Sequence, residues 1–149
     1  MKGLVIGVGN ADRGDDAAGP VTAEAVAAAA PQLDVMLCRG DPAELIDAFS
    51  GRRRIVIIDA CASGGAPGQV QRFEAHRSPL PACFGEISTH GVDLGATIEM
   101  ARALSGLPDR LIVYGIEAGS AEPGAALTPS VAEASRRLVT QILDEFSRE

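Results

Sequence analysis

The sequence predicts an α/β fold, a three-layer αβα sandwich around a mostly parallel central sheet of about five strands. Short apolar runs rich in β-branched residues alternate along the chain with segments whose apolar residues repeat at helical spacing. The run Ile55-Val56-Ile57-Ile58 is apolar at every position, as expected of a strand covered on both faces of a parallel sheet.

Leu4 to Val8 reads as a buried strand closed by Gly9-Asn10. An alanine-rich helix follows from Asp15 or Asp16 to Ala30, with Pro31 stopping it. Val35 to Cys38 is a second, weaker strand. Asp41-Pro42-Ala43-Glu44 places a cap acceptor, a first-position proline and an acid in the order of a capping box, opening a short helix to Ser50. Ile55 to Ile58 is the central strand and ends at Asp59. After a glycine and proline loop, Val70 to Phe73 has the polar alternation of an edge strand. Leu94, Ile98, Ala101 and Leu104 share one helical face, closed by Gly106 and Pro108. Leu111 to Ile116 is a further buried strand. Thr128-Pro129 then opens a last helix with the apolar stripe Val131, Leu138, Ile142 and Phe146.

The 149 residues suit one domain spanning 1–149, and an apolar share of 46% argues against disorder. No apolar run approaches the roughly 20 residues needed to span a bilayer, and the start of the chain lacks a leader pattern, so the expected location is the cytoplasm. A net charge of −7 opposes a nucleic-acid partner, which clustered Lys and Arg would have to bind. The one basic cluster, Arg52-Arg53-Arg54, reads as a solvated turn. Cys38, Cys61 and Cys83 have no metal-ribbon or disulfide spacing and read as buried free thiols. Nothing in the sequence demands more than a monomer.

In sheets of this kind ligands gather at the carboxyl ends of the strands. The loops there hold Asn10 to Asp16, Asp59 and Glu117, while His90 precedes the third long helix. Gly7-Val8-Gly9 begins like a dinucleotide fingerprint, but Asp12 stands where its third glycine belongs, and Asp12, Asp15 and Asp16 would repel a pyrophosphate. Taken singly, Asp15 and Asp16 read as helix-terminal acids, Asp59 as a loop acid and His90 as a surface histidine. Their convergence on one sheet edge changes the reading. Two carboxylates and an imidazole make an oxygen, oxygen, nitrogen set for a divalent metal with open positions. So few ligands suit a metal delivered by the substrate, or a weak hydrolytic centre that acidifies a bound water.

Gly7-Val8-Gly9-Asn10, Gly14-Asp15-Asp16, Gly19-Pro20, Ile57-Ile58-Asp59-Ala60, Ser88-Thr89-His90 with Leu94, and Leu127-Thr128-Pro129 together resemble, in order and spacing, the hydrogenase maturation protease family. The resemblance covers nearly the whole chain. It implies an endopeptidase that removes the C-terminal extension of a nickel-iron hydrogenase large-subunit precursor after nickel insertion. By matching positions it implies Asp16, Asp59 and His90 as the catalytic, nickel-contacting residues, the nickel being supplied by the substrate and no organic cofactor being needed. Thr89 replaces the proline often found before the histidine. Cys38-Arg39-Gly40-Asp41 replaces an Asp-Gly-Gly-like segment that helps select the substrate. Two other readings compete: a non-proteolytic, nickel-dependent docking or chaperone domain, and a thiol enzyme built on Cys61 with His90 as base.

Overall fold

The computed structural model describes residues 2–84 and 93–147. Five strands form one sheet: β1 (Leu4–Val8), β2 (Asp34–Cys38), β3 (Arg54–Cys61), β4 (Val70–Glu74) and β5 (Arg110–Glu117). Their order across the sheet is β2-β1-β3-β5-β4, with β4 antiparallel to β5 and every other pair parallel. Among the described residues four α-helices cover it: α1 (Ala18–Ala29), α2 (Pro42–Phe49), α3 (Leu94–Leu104) and α4 (Pro129–Ser147).

The two-residue period of the strands divides the core in two. Leu4, Ile6, Ile55, Ile57, Leu111 and Val113 turn to one face and pack with Leu45 and Phe49 of α2 and Leu94, Ile98 and Ala101 of α3. Val5, Val56, Ile58, Ile112 and Ile116 turn to the other and meet Ala23 and Val26 of α1 and Val131, Leu138 and Ile142 of α4. This is the expected three-layer αβα sandwich. It explains why the central strands are apolar at consecutive positions, since neither face meets water. Cys38, Cys61 and Cys83 are all free and buried, as expected. No helix among the described residues is long and apolar enough to cross a membrane.

Three local readings change. The first helix does not begin at Asp15 or Asp16: residues Gly14–Ala17 form a 3-10 turn closed by the Asp16 amide on the Arg13 carbonyl at 2.9 Å, and α1 starts only at Ala18. At the start of α2, Asp41 caps the Ala43 amide at 3.0 Å as expected, but Glu44 engages the Cys38 thiol. The arginine cluster is more than a solvated turn. Arg52 bonds Asp34 and the Lys2 carbonyl, Arg53 bonds Asp109, and Arg54 reaches the Phe146 carbonyl, so the cluster ties the amino ends of the strands to the chain around them.

Close approach sets the position of α1. A Cβ on Gly19 would lie 2.3 Å from the Val8 carbonyl oxygen and 2.4 Å from that of Ile58. The helix can therefore sit directly on the ends of β1 and β3 only because residue 19 has no side chain. The glycines that suggested a nucleotide fingerprint serve this packing: a Cβ on Gly7 would meet the Gly19 carbonyl at 2.5 Å.

Candidate active site

The chain leaves β1 to one side toward β2 and returns to the other side as β3, so the winding direction reverses between β1 and β3. At such a switch point the loops diverge above the strand ends and leave a crevice. Asp16 follows β1, whereas β3 runs past the expected end at Asp59 to Cys61, so Asp59 lies among the last residues paired with β5; this topology brings both acids to that crevice. Asp16 is 3% exposed and Asp59 6%.

The three acids of the first loop have three different environments. Asp12 is exposed, and its amide closes a turn on the Asn10 side chain at 2.9 Å. Asp15 is fully buried and faces away from the crevice. Its carboxylate accepts the amides of Gly119 and Ser120 at 2.7 and 2.9 Å, and both the amide and the hydroxyl of Thr128 at 2.8 and 3.0 Å. Asp16 accepts the Asn10 amide at 3.0 Å. Gly9 makes the arrangement possible: its φ is +145°, and a Cβ there would lie 2.0 Å from the Asp16 carbonyl oxygen.

Asp59 has an unfavourable environment for charge. Burial first, and then the negative charge of Asp16, push its carboxyl well above the usual carboxylate range, against a smaller opposing pull from the Ala60 amide. Two acids in one poorly solvated crevice can take up a divalent cation or share a proton, and either event relieves their repulsion.

Glu117 ends β5 beside Cys61 and is 3% exposed. Both its oxygens accept the Ser63 amide, at 3.2 and 2.9 Å, and it also accepts the Ser63 hydroxyl. It thereby fixes the start of the loop after β3. Cys61 is completely buried, and burial followed by the neighbouring Cys83 and Glu117 pushes its thiol up to about 12. A buried thiol raised in this way is a poor nucleophile, which weighs against the thiol-enzyme reading.

His90 lies outside the described residues, and the described residues alone contain no group of three metal-binding side chains. The chain that leads to His90 leaves the sheet beside the acids: Phe84 bridges to Cys61, and the Ala62 amide bonds the Cys83 carbonyl at 2.9 Å. The other histidine, His76, accepts the Leu111 amide at 3.0 Å near the opposite end of the sheet. The reading of the sequence missed the Asp15 staple and the Glu117 anchor. Both depend on contacts across more than 50 residues of chain, which no local spacing announces.

Fold and site thus define a doubly wound α/β protein whose crevice is built from buried carboxylates. The family model for hydrogenase maturation proteases matches residues 24–145. The chain is 31% identical over 148 residues to Hydrogenase 2 maturation protease of Escherichia coli strain K12, covering 96% of this chain and 89% of that one. Its structure superposes on the hydrogenase maturating endopeptidase HybD of Escherichia coli with a TM-score of 0.78 at 25% identity, covering 97% and 91% of the two chains. An endopeptidase from Escherichia coli solved in solution gives 0.81 at 26% identity over the same shares. The chain belongs to the hydrogenase maturation protease family. Asp59 and His90 fall inside the matched segment, whereas Asp16 precedes it.

Proposed function

We propose that this protein is the endopeptidase that removes the C-terminal extension from the precursor of a nickel-iron hydrogenase large subunit once nickel is in place. One observation carries the reading: two carboxylates, Asp16 from the 3-10 turn after β1 and Asp59 from β3, are buried together at the switch point of the sheet, in a family of proteases. Such a pair has an electrostatic need for a cation. With His90 it makes the oxygen, oxygen, nitrogen set suited to a late divalent transition metal. His90 follows Phe84 by six residues, and six extended residues span about 20 Å, ample reach from the end of β3 to the crevice.

The nickel belongs to the substrate. Asp16, Asp59 and His90 form an incomplete ligand set, so the precursor's metal completes it and places the adjoining peptide bond over the crevice. A carboxylate of the pair, Asp16 or Asp59, is the group suited to accept and return a proton as water adds to the scissile carbonyl. Recognition by this means links cleavage to a finished metal centre.

The intact mass of the large subunits from cells with and without this gene tests the function. A subunit that keeps its tail only without the gene supports the reading and names the substrate. Purified protein should trim nickel-loaded precursor and leave nickel-free precursor whole; equal trimming of both would overturn the nickel requirement.

A further inference from the structure

The two edges of the sheet differ. β4, at one edge, reads Val70-Gln71-Arg72-Phe73-Glu74 and carries the charged side chains that usually discourage another strand from pairing. β2, at the other, reads Asp34-Val35-Met36-Leu37-Cys38, with three consecutive apolar residues, no lysine and no proline. Leu37 is 45% exposed, and Val21 of α1 is 41% exposed.

The register fixes which backbone groups of β2 are committed. The Asp34 amide bonds the Gly3 carbonyl and the Cys38 carbonyl accepts the Gly9 amide, both at 3.0 Å. In a parallel pair the bonded residues alternate, so Asp34, Met36 and Cys38 face β1. The amides and carbonyls of Val35 and Leu37 therefore point to the open edge. Such a row is a template for an extended peptide, which gains main-chain hydrogen bonds there.

The edge leads to the active site. At the carboxyl end of β2 lies a groove of about 570 Å³ lined by Asn10, Asp12, Pro20, Arg39, Asp41 and Glu44 among others. Three carboxylates face one guanidinium in that lining, so the groove favours an occupant with positive charge. Asn10 joins it to the crevice, because its amide holds Asp16.

We infer that an extended segment of the substrate polypeptide, next to the bond to be cut, pairs with β2 as a sixth strand and passes through this groove to Asp16 and Asp59. The inference rests on the proposed peptidase reading and adds how the substrate is held. Strands lie about 4.8 Å apart, so an added strand would be about 14 Å from β3, a gap that about four extended residues cross. The scissile bond accordingly lies about four residues beyond the last residue paired with β2.

Proline at position 37 tests this. Leu37→Pro removes an outward amide and leaves the hydrogen bonds to β1 in place, whereas Leu37→Ala keeps the amide and shortens only the side chain. With nickel-loaded precursor, Leu37→Pro should raise KM at least tenfold with kcat within about twofold, and Leu37→Ala should change KM less than threefold. Equal KM for wild type and Leu37→Pro, with both melting at the same temperature, would overturn the added strand while leaving the peptidase reading intact. Hydrogen exchange gives a second readout that does not need turnover. In wild-type protein mixed with a nickel-loaded precursor that carries proline after the scissile bond so that it is not cut, the Val35 and Leu37 amides should exchange at least tenfold more slowly than in the protein alone. A complex that forms without that protection refutes the strand, and protection arising from self-association of the protein alone would assign the edge to a second copy. If wild-type protein neither binds nor cuts the precursor, the peptidase reading fails first.

Discussion

The charge of Asp16 raises the carboxyl of Asp59, adding to the larger effect of Asp59's own burial. A carboxyl raised in this way stabilises the fold while it is protonated, below the ordinary carboxylate range, and that contribution is lost as pH rises through the raised value. Asp59→Asn removes the penalty along with one carboxylate of the proposed catalytic pair. Metal-free Asp59→Asn protein should therefore melt above wild type at pH 7, by roughly 2 to 4 °C for each kcal/mol relieved, with the gap widening from pH 4 to pH 8. Processing of the precursor should fall at least a hundredfold. Melting curves across that range check the first statement, and a gap that narrows with rising pH contradicts it.

Asp15 should behave differently from its neighbour. Removing its carboxylate strands the amides of Gly119, Ser120 and Thr128 together with the Thr128 hydroxyl. Asp15→Ala is expected to cost about 3 to 5 kcal/mol, since bonds to a buried charge are worth about 1.5 to 3 kcal/mol each and do not add in full. Denaturant unfolding measures this directly. A loss under about 1 kcal/mol would mean that the loop holds itself.

Glu145 governs the acid side of the stability curve. Burial alone would raise its carboxyl, but hydrogen bonds from Arg72, Tyr114 and Arg110 outweigh that and bring it down to about 2. Its contribution is present above the ordinary glutamate range near 4.5 and is lost as pH falls toward 2. Glu145→Gln should cost about 2 to 3 kcal/mol at pH 7. This is below the usual loss for a broken buried pair, because Arg72 and Arg110 are 37% and 36% exposed. The difference from wild type should shrink between pH 6 and pH 3; an unchanged difference would show that packing accounts for it.

Gly19→Ala should be among the most damaging changes of a single carbon. Its Cβ would press on two main-chain oxygens that belong to neighbouring strands, so relief requires α1 to lift from the sheet. About 3 kcal/mol or more of stability should go, at the upper end of overpacking effects. Processing should fall further than stability explains, since Asp16 stands two residues before the helix. Wild-type activity in folded Gly19→Ala protein would show that the seat of the helix does not set the acid.

Periodicity carried the fold. Strands buried on both faces announce themselves as β-branched runs, and Ile55 to Ile58 and Leu111 to Ile116 are the central strands that their composition predicts. The edge strand expected at Val70 to Phe73 followed from its polar alternation and is found at Val70–Glu74. Asp59 was legible as a candidate because it follows such a run near the carboxyl edge, where the structure buries it. Asp15 and Asp16 were not separable by composition: the same side chain on adjacent residues of a 3-10 turn points once into the protein and once into the crevice. That difference arises from residues 119 to 128, more than a hundred positions away. The start of α1 was misplaced for a related reason, because the tight turn is imposed by Gly9 passing under Asp16 rather than by the propensities of residues 14 to 17.

The staple between Asp15 and Thr128 also sets a clock. Its two ends are 113 residues apart, and a ribosome adds about 5 to 20 residues per second, so roughly 6 to 23 seconds separate their synthesis. Until Thr128 has emerged, Asp15 lacks two of its four hydrogen-bond donors and the loop that carries Asp16 is not pinned. A nascent chain of this protease therefore stays catalytically incomplete through most of its own translation.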